Sequence, residues 1–182
     1  MKELTTSLLV LLAVGALGCE SGGVGDPCIP EDEYNPGFSG YSAEEVNIES
    51  RSFQCETRVC IANHFQGRVS CRYGQGNGEN LCKIPGSATP IEVAVDPQLE
   101  LRPADKAVYC SCRCGNADGK TDDGARYCEC PSGYSCSKLL DDLGLGKGQL
   151  AGYYCIKDGT EYDPNNAGPK CNRETKNCGE DD

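Results

Sequence analysis

The sequence predicts a small disulfide-rich domain that is mainly β, with short hairpins, long loops and at most one or two short helices. Three features of the composition indicate this fold class. The 182 residues include 15 cysteines, a density typical of disulfide scaffolds. There are 23 glycines and 10 prolines, which favour turns, and no Trp, three Phe and one Met. With so few large apolar side chains, we expect disulfides to replace much of a hydrophobic core.

Residues 1–18 are predicted to be a signal peptide. The apolar run at residues 8–17 has the length of a signal-peptide core and is too short to span a bilayer, which needs ~20 residues. The run leads into Ala-Leu-Gly-Cys at residues 16–19, which resembles the lipobox of bacterial lipoproteins. The resemblance implies that Cys19 is lipidated and becomes the first mature residue. Glu20 after it favours anchoring in the outer membrane over retention in the inner one.

The parity of the cysteine count bears on this interpretation. An ordinary signal peptide, cleaved near Ala16 or Gly18, would leave Cys19 free or in a disulfide. Lipidation instead sets Cys19 apart and leaves 14 of the 15 cysteines, enough for seven disulfides in the oxidising cell envelope. The predicted disulfide cysteines are Cys28, Cys55, Cys60, Cys71, Cys82, Cys110, Cys112, Cys114, Cys128, Cys130, Cys136, Cys155, Cys171 and Cys178.

Cysteine spacing and composition divide the mature chain into three parts. Residues 19–27 are predicted to be the lipidated cysteine and a flexible tether, and residues 157–182 a polar tail tied by Cys171 and Cys178. The disulfide-rich β domain lies between them, at residues 28–156. It divides into possible submodules at 28–82 and 110–156, joined by a strand-forming segment at 83–109.

Local patterns predict the elements of this domain in order. Apolar residues on both sides of residues 63–67 predict a hairpin with Cys60 and Cys71 on its arms. Alternating apolar residues predict short strands at 91–95 and 99–101. Two cysteine-rich arms follow, at 107–114 and 125–131, with alternate cysteines on shared faces. The last elements are a two-turn helix at 137–143 and a strand at 153–156.

The hairpin tip carries the predicted partner contacts. The tip brings together the imidazole of His64, the phenyl ring of Phe65 and the guanidinium of Arg68. This combination suits a protein or glycan partner. The surrounding stretch, residues 51–72, has four arginines against the single acid Glu56. That stretch could face acidic groups of a partner, or it could be a solvated surface.

Charge and motifs narrow the functional classes. The net charge of −11 argues against a nucleic-acid partner. A single histidine and the absence of a G-x-S-x-G motif argue against most hydrolase mechanisms. We therefore expect a lipid-anchored, non-catalytic binding or structural module, held to the membrane by Cys19. The alternative is a carboxylate-dependent hydrolase that acts on a cell-surface polymer.

No cofactor and no metal site are predicted. The closest cysteine pairs are spaced C-x-C, whereas structural zinc sites favour C-x2–4-C. Acidic loops at 116–123 and 158–165 could supply oxygen ligands to calcium, or they could be solvated turns. Their spacing does not match a twelve-residue calcium loop, so the choice stays open.

Overall fold

The structure, a computed structural model, describes residues 22–142, 144 and 150–179. Within these ranges the protein is mainly β, as the sequence predicts, with two three-stranded antiparallel sheets. Two short helical turns accompany them, a 3₁₀ turn at Glu31–Tyr34 and α1 at Ala104–Ala107. The predicted signal peptide and Cys19 lie outside the described residues.

The first sheet consists of β1 (Val46–Glu49), β2 (Val59–Asn63) and β3 (Val108–Ser111), with β2 in the centre. The register places Ile61 of β2 opposite both Ile48 and Tyr109. The predicted hairpin around residues 63–67 is therefore wrong. β2 ends at Asn63, His64 turns the chain with a φ of 51°, and β2 pairs with β1 and the distant β3 instead.

The second sheet consists of β4 (Arg113–Gly115), β5 (Tyr134–Leu140) and β6 (Gly152–Lys157), with β6 in the centre. β6 contains the strand predicted at 153–156, which is confirmed. The prediction of a helix at 137–143 is wrong for residues 137–140, because these residues belong to β5. Pairing with β6 puts Cys136 opposite Cys155 and Ser137 opposite Tyr154, and this sheet register overrides the local helix pattern.

The two sheets are joined where β3 runs into β4. Cys112 lies between these strands, and its carbonyl accepts a hydrogen bond from Cys155 N of β6 at 3.0 Å. Ser111 Oγ donates to the Cys155 carbonyl at 2.8 Å. The break at Cys112 separates Cys110 from Cys114, so the cysteines of this arm do not share one face as predicted. Residues 125–131 form no strand.

All fourteen cysteines after Cys19 form disulfides, as predicted. The pairs are Cys28–Cys60, Cys55–Cys110, Cys71–Cys82, Cys112–Cys128, Cys114–Cys136, Cys130–Cys155 and Cys171–Cys178. Five close within residues 28–82 or 110–156, and Cys55–Cys110 crosses between these two halves. The last pair closes within the tail, so that disulfide does not tie the tail to the domain.

The segment at 83–107 packs without forming the predicted strands at 91–95 and 99–101. Ile91 and Val95 are buried beside the Cys71–Cys82 disulfide and supply core, as expected. The buried side-chain amide of Gln75 makes hydrogen bonds to the backbone of this segment, as a neighbouring strand would in a sheet. It donates to the carbonyls of Ile91 and Val93 at 2.6 and 2.9 Å and accepts from Cys82 N at 2.8 Å.

Both ends of the described chain are docked on the domain. Residues 22–27, predicted to be part of the flexible tether, form bridges to Cys55 and Tyr109. Gly25 N donates to the Cys110 carbonyl at 2.8 Å, which fixes this segment on the first sheet. In the tail, Cys171 N donates to Gln98 O at 2.8 Å. Residues 22–27 are therefore part of the folded domain and not a flexible tether.

Candidate functional site

The predicted contact tip is mostly buried, which corrects its proposed role. Phe65 and Arg68 are both 0 % exposed, and His64 is half-buried. Because no hairpin forms, the chain after His64 turns inward and carries Phe65 into the core with Tyr41 and Ala62. Phe65 and Arg68 are therefore not available to a partner on this face.

Arg68 forms a buried ion pair with Glu33 of the 3₁₀ turn. Its Nε lies 3.2 Å from Glu33 Oε2, and both side chains have no exposed surface. Arg68 Nη1 donates to the carbonyls of Phe38 and Asn35 at 2.7 and 3.2 Å. The Glu33 carboxylate also accepts from Val69 N at 2.7 Å. These bonds satisfy a charge pair that burial alone would make costly, so the arginine is structural.

His64 is held by three neighbours. Its ring stacks on that of Tyr162 at 4.4 Å between centroids, with 10° between the planes. Its Nδ1 lies 2.9 Å from Ala43 O. Arg102 donates to the backbone carbonyl of His64 at 2.9 Å and to that of Thr160 at 2.7 Å. This arrangement fastens the tail and leaves His64 without a catalytic partner among the described residues.

An open polar cleft of about 830 Å³ lies on the surface of the described part of the chain. Its lining side chains are mainly polar or charged, and His64, Phe65 and Arg68 are not among them. The cleft is bounded by residues 39–42, 73–76 and 94–97, with Glu45, Gln66, Glu79, Leu81, Arg173 and Glu174 completing its walls.

Close backbone packing makes the walls of the polar cleft rigid. Tyr41 and Gly67 exchange two backbone hydrogen bonds of 2.9 Å, and Gln75 and Val95 do the same at 2.9 Å. Gly67 has a φ of +83°, and a Cβ there would lie 2.3 Å from Asp96 O. Only glycine fits such an approach. The cleft is thus preformed rather than dependent on a ligand.

The polar cleft carries a negative charge. Four exposed carboxylates line it, from Glu45, Glu79, Asp96 and Glu174, against the single guanidinium of Arg173. Asp96 is paired with Lys170 at 2.7 Å. The acids come from four separate segments with no regular spacing, which is why their convergence could not be read from the sequence.

A second exposed feature is the aromatic loop, residues 50–58. Phe53 at its tip is 83 % exposed, the highest value among the large exposed apolar side chains of the described residues. The guanidinium of Arg58 lies 4.6 Å from the centre of its ring. Arg51 and the exposed Tyr34 line a groove of about 680 Å³ beside Phe53. The arginines of the stretch 51–72 therefore divide, with Arg51 and Arg58 exposed and Arg68 buried.

The aromatic loop is held rigidly in spite of its exposed tip. Cys55 is bonded to Cys110 of β3. The Gln54 side chain donates to Ile29 O at 2.7 Å and accepts from Ile29 N at 3.0 Å. Gly22 N donates to Gln54 O at 2.7 Å, and Glu56 N donates to Gly22 O at 2.9 Å. These bonds fix the backbone on both sides of Cys55.

An acidic pocket of about 200 Å³ adjoins the aromatic groove and includes Glu31, Asp32 and Glu49. Glu49 accepts a hydrogen bond from Glu31 N at 3.1 Å, and Asp32 accepts one from the buried Tyr41 hydroxyl at 3.2 Å. Burial raises the pKa of Glu49; the hydrogen bond from Glu31 N opposes this change, and the charges of Glu31 and Asp32 reinforce it. Burial, and then the Asp32 carboxylate, raises the pKa of Tyr41.

The acidic loop at 116–123 is ordered by its own hydrogen bonds. Asn116 Oδ1 accepts from Asp118 N at 3.0 Å and Lys120 N at 2.8 Å. Asp123 accepts from the Tyr127 hydroxyl at 2.7 Å and from Ala125 N at 3.0 Å, and these bonds lower the pKa of Asp123. These hydrogen bonds show that the side chains of Asn116 and Asp123 stabilise the turns of the loop.

Comparison of the chain with protein-family models, curated proteins and solved structures gave no match. Over the residues that the structure describes, no helix has the length and apolar character needed to cross a membrane.

Proposed function

We propose that this protein is a lipid-anchored, non-catalytic binding module of the cell envelope, and that the polar cleft is its binding site. The observation that carries the proposal is a preformed cleft of about 830 Å³ whose walls are fixed by backbone hydrogen bonds and close glycine contacts. A rigid site loses little conformational entropy when a ligand binds.

The charge of the polar cleft favours a protein partner that presents lysine or arginine side chains. Carboxylates from Glu45, Glu79 and Glu174 converge on it, and they would pair with cationic groups. The exposed Leu81 adds an apolar contact at the edge. Aromatic platforms for sugar rings are scarce here, because Tyr41 and Tyr73 are 7 % and 6 % exposed.

A displayed peptide library tests this assignment. Peptides rich in lysine and arginine should be enriched on the mature protein and lost on the variant E45Q/E79Q/E174Q. A matched control, E56Q/E129Q/E161Q, removes the same charge from exposed positions outside the cleft and should retain them. Equal enrichment on both variants would contradict the cleft assignment. Glycans that bind the wild type and not the cleft variant, in a parallel array, would replace the peptide assignment.

The anchor is tested separately by mass spectrometry of protein isolated from membranes. We expect an acylated N-terminal peptide beginning at Cys19, with fourteen other cysteines oxidised. An unmodified Cys19, or one bonded to another cysteine, would contradict the anchor without bearing on the cleft.

A second candidate function is hydrolysis of a surface polymer at the acidic pocket. The specific observation is that Glu49, whose pKa is raised by burial, lines the same pocket as the carboxyl group of Asp32, and glycoside hydrolysis uses two carboxyl groups. E49Q should abolish release of reducing ends from envelope polysaccharide, while the exposed control E44Q leaves it unchanged. No release by the wild type would remove this candidate.

A further inference from the structure

We propose that the aromatic loop docks on the headgroups of zwitterionic phospholipids and thereby sets the orientation of the domain on the membrane. This inference rests on the proposed lipid anchor at Cys19. It adds a second, non-covalent membrane contact, made by Phe53, Arg51 and Arg58.

The first step is the distance from the anchor to the loop. Only Glu20 and Ser21 lie between Cys19 and Gly22, so three steps of at most ~3.6 Å along the chain keep these two residues within about 11 Å of each other. Gly22 is fixed to Gln54 and Glu56 by backbone hydrogen bonds of 2.7 and 2.9 Å. The segment that follows is also docked, because Gly25 N donates to Cys110 O. A lipid on Cys19 therefore keeps the aromatic loop close to the bilayer surface.

The second step is the chemistry of the loop. Phe53 is 83 % exposed, so its ring is available to an apolar partner such as the interface of a bilayer. Aromatic rings are well suited to the membrane interface, and arginine can extend its charged group toward phosphates while its stem remains among apolar groups. The guanidinium of Arg58 is already positioned over the Phe53 ring at 4.6 Å. The backbone of Arg58 has a positive φ of 65°; its N–H donates to Cys55 O at 2.9 Å, and its carbonyl accepts from Ser52 N at 3.1 Å.

The third step is the charge around the loop, which identifies the headgroup. Arg51 and Arg58 lie among Glu31, Glu49 and Glu56, so the surface presents both signs close together. A headgroup with a phosphate and an ammonium group, such as phosphatidylethanolamine, can pair with both. A purely anionic surface would be repelled by these acids and by the net charge of −11.

Fluorescence quenching tests the docking directly. The chain has no tryptophan, so F53W introduces a single indole. The mature chain is coupled through Cys19 to a maleimide phospholipid in phosphatidylethanolamine–phosphatidylcholine vesicles that carry brominated acyl chains. We expect F53W emission to shift to the blue and to be quenched. The control L81W, at an exposed leucine on the polar cleft, should show neither change. Unchanged F53W emission, or equal quenching of both variants, would overturn the proposal.

Two further arms test the headgroup and separate this inference from the anchor. R51Q/R58Q in the F53W background should lose most of the quenching. Quenching that persists in this variant, or that increases with the fraction of anionic phosphatidylglycerol, would overturn the zwitterionic assignment. Because the lipid is attached chemically, the result does not depend on native acylation. If F53W docks but mass spectrometry finds native Cys19 unmodified, the anchor is rejected and this inference stands. If native Cys19 is acylated but F53W does not dock, this inference is rejected and the anchor stands.

Discussion

Glu33 and Arg68 form an ion pair whose two side chains are completely buried, although 35 positions separate them along the sequence. The pair joins the 3₁₀ turn to the wall of the polar cleft, because Arg68 follows Gly67 directly. The backbone carbonyl of Arg68 also accepts a hydrogen bond from the buried Gln98 at 2.8 Å. One arginine therefore holds three segments together where a larger protein would use apolar packing.

We predict that E33Q destabilises the protein by ~3–5 kcal/mol, because it leaves a buried guanidinium without its counter-charge. The change in the free energy of unfolding is measured by denaturation in guanidinium chloride without reductant. The control is D141N, which removes an ion pair with Lys138 on exposed side chains and should cost ~0–1 kcal/mol. Similar losses in the two variants would contradict the structural role of the buried pair.

Sequence-based prediction failed for elements whose conformation depends on contacts with residues distant in the sequence. Disulfide richness and the last strand could be predicted because composition and local apolar pattern are sufficient for both. The helix predicted at 137–143 depended on local pattern too, but Cys136 is bonded to Cys114 and aligned with Cys155. Those partners are distant in sequence, and no local signal records them.

The binding surfaces were harder to predict for the same reason. Arg68 and Arg58 are equivalent as sequence features, yet one is buried against Glu33 and the other lies over Phe53 on the surface. The polar cleft combines Glu45, Glu79 and Glu174 from three distant segments. Phe53 is followed by Gln54 and Cys55, which anchor its loop, but the exposure of its ring depends on the completed fold.

The disulfides differ in their expected contributions to stability. Cys55–Cys110 spans 55 residues and joins the two halves of the domain, whereas Cys171–Cys178 spans 7 residues within the tail. The loop-entropy relation gives ~4 kcal/mol for the first and ~2 kcal/mol for the second. We predict that C55S/C110S lowers the free energy of unfolding more than C171S/C178S does, as measured by guanidinium denaturation. The reverse order, or different pairs in a non-reducing peptide map, would contradict this assignment.

Arg102 is predicted to be the main attachment of the tail. It is 4 % exposed, and it donates to the carbonyls of Asn63, His64 and Thr160. Burial lowers its pKa. The compact ammonium of lysine lacks the planar fork of donors that Arg102 presents to these carbonyls, so R102K should lose hydrogen bonds worth ~1.5–3 kcal/mol each.

Hydrogen exchange measured by mass spectrometry checks this prediction. In R102K we expect exchange in residues 158–170 to accelerate by roughly tenfold or more, since ~1.4 kcal/mol of lost local stability corresponds to a factor of ten. Exchange in β2 and β3 should change less. R126K, at an exposed arginine, is the matched control. Unchanged exchange in the tail of R102K would show that Cys171 N and the other backbone bonds suffice to hold it.

Glu49 is predicted to make the stability of the protein depend on pH. Burial raises its pKa in the folded state; the hydrogen bond from Glu31 N opposes this change, and the charges of Glu31 and Asp32 reinforce it. A carboxyl whose pKa is raised by folding supports the folded state below its ordinary pKa, about 4.3, and this support is lost as the pH rises through the folded pKa. We therefore predict that E49Q is more stable than the wild type at pH 7 and equally stable at pH 3.5.

Thermal melts of the wild type and E49Q between pH 3.5 and pH 7 measure this difference. Glutamine keeps an oxygen that can accept the hydrogen bond from Glu31 N, so the substitution changes mainly the charge. E44Q, at an exposed glutamate outside the acidic pocket, controls for the general loss of one negative charge. If E49Q stabilises the protein equally at both pH values, its effect comes from packing or net charge. A difference confined to higher pH would show that the acidic pocket disfavours an ionised Glu49, the property that a general acid at this position would need.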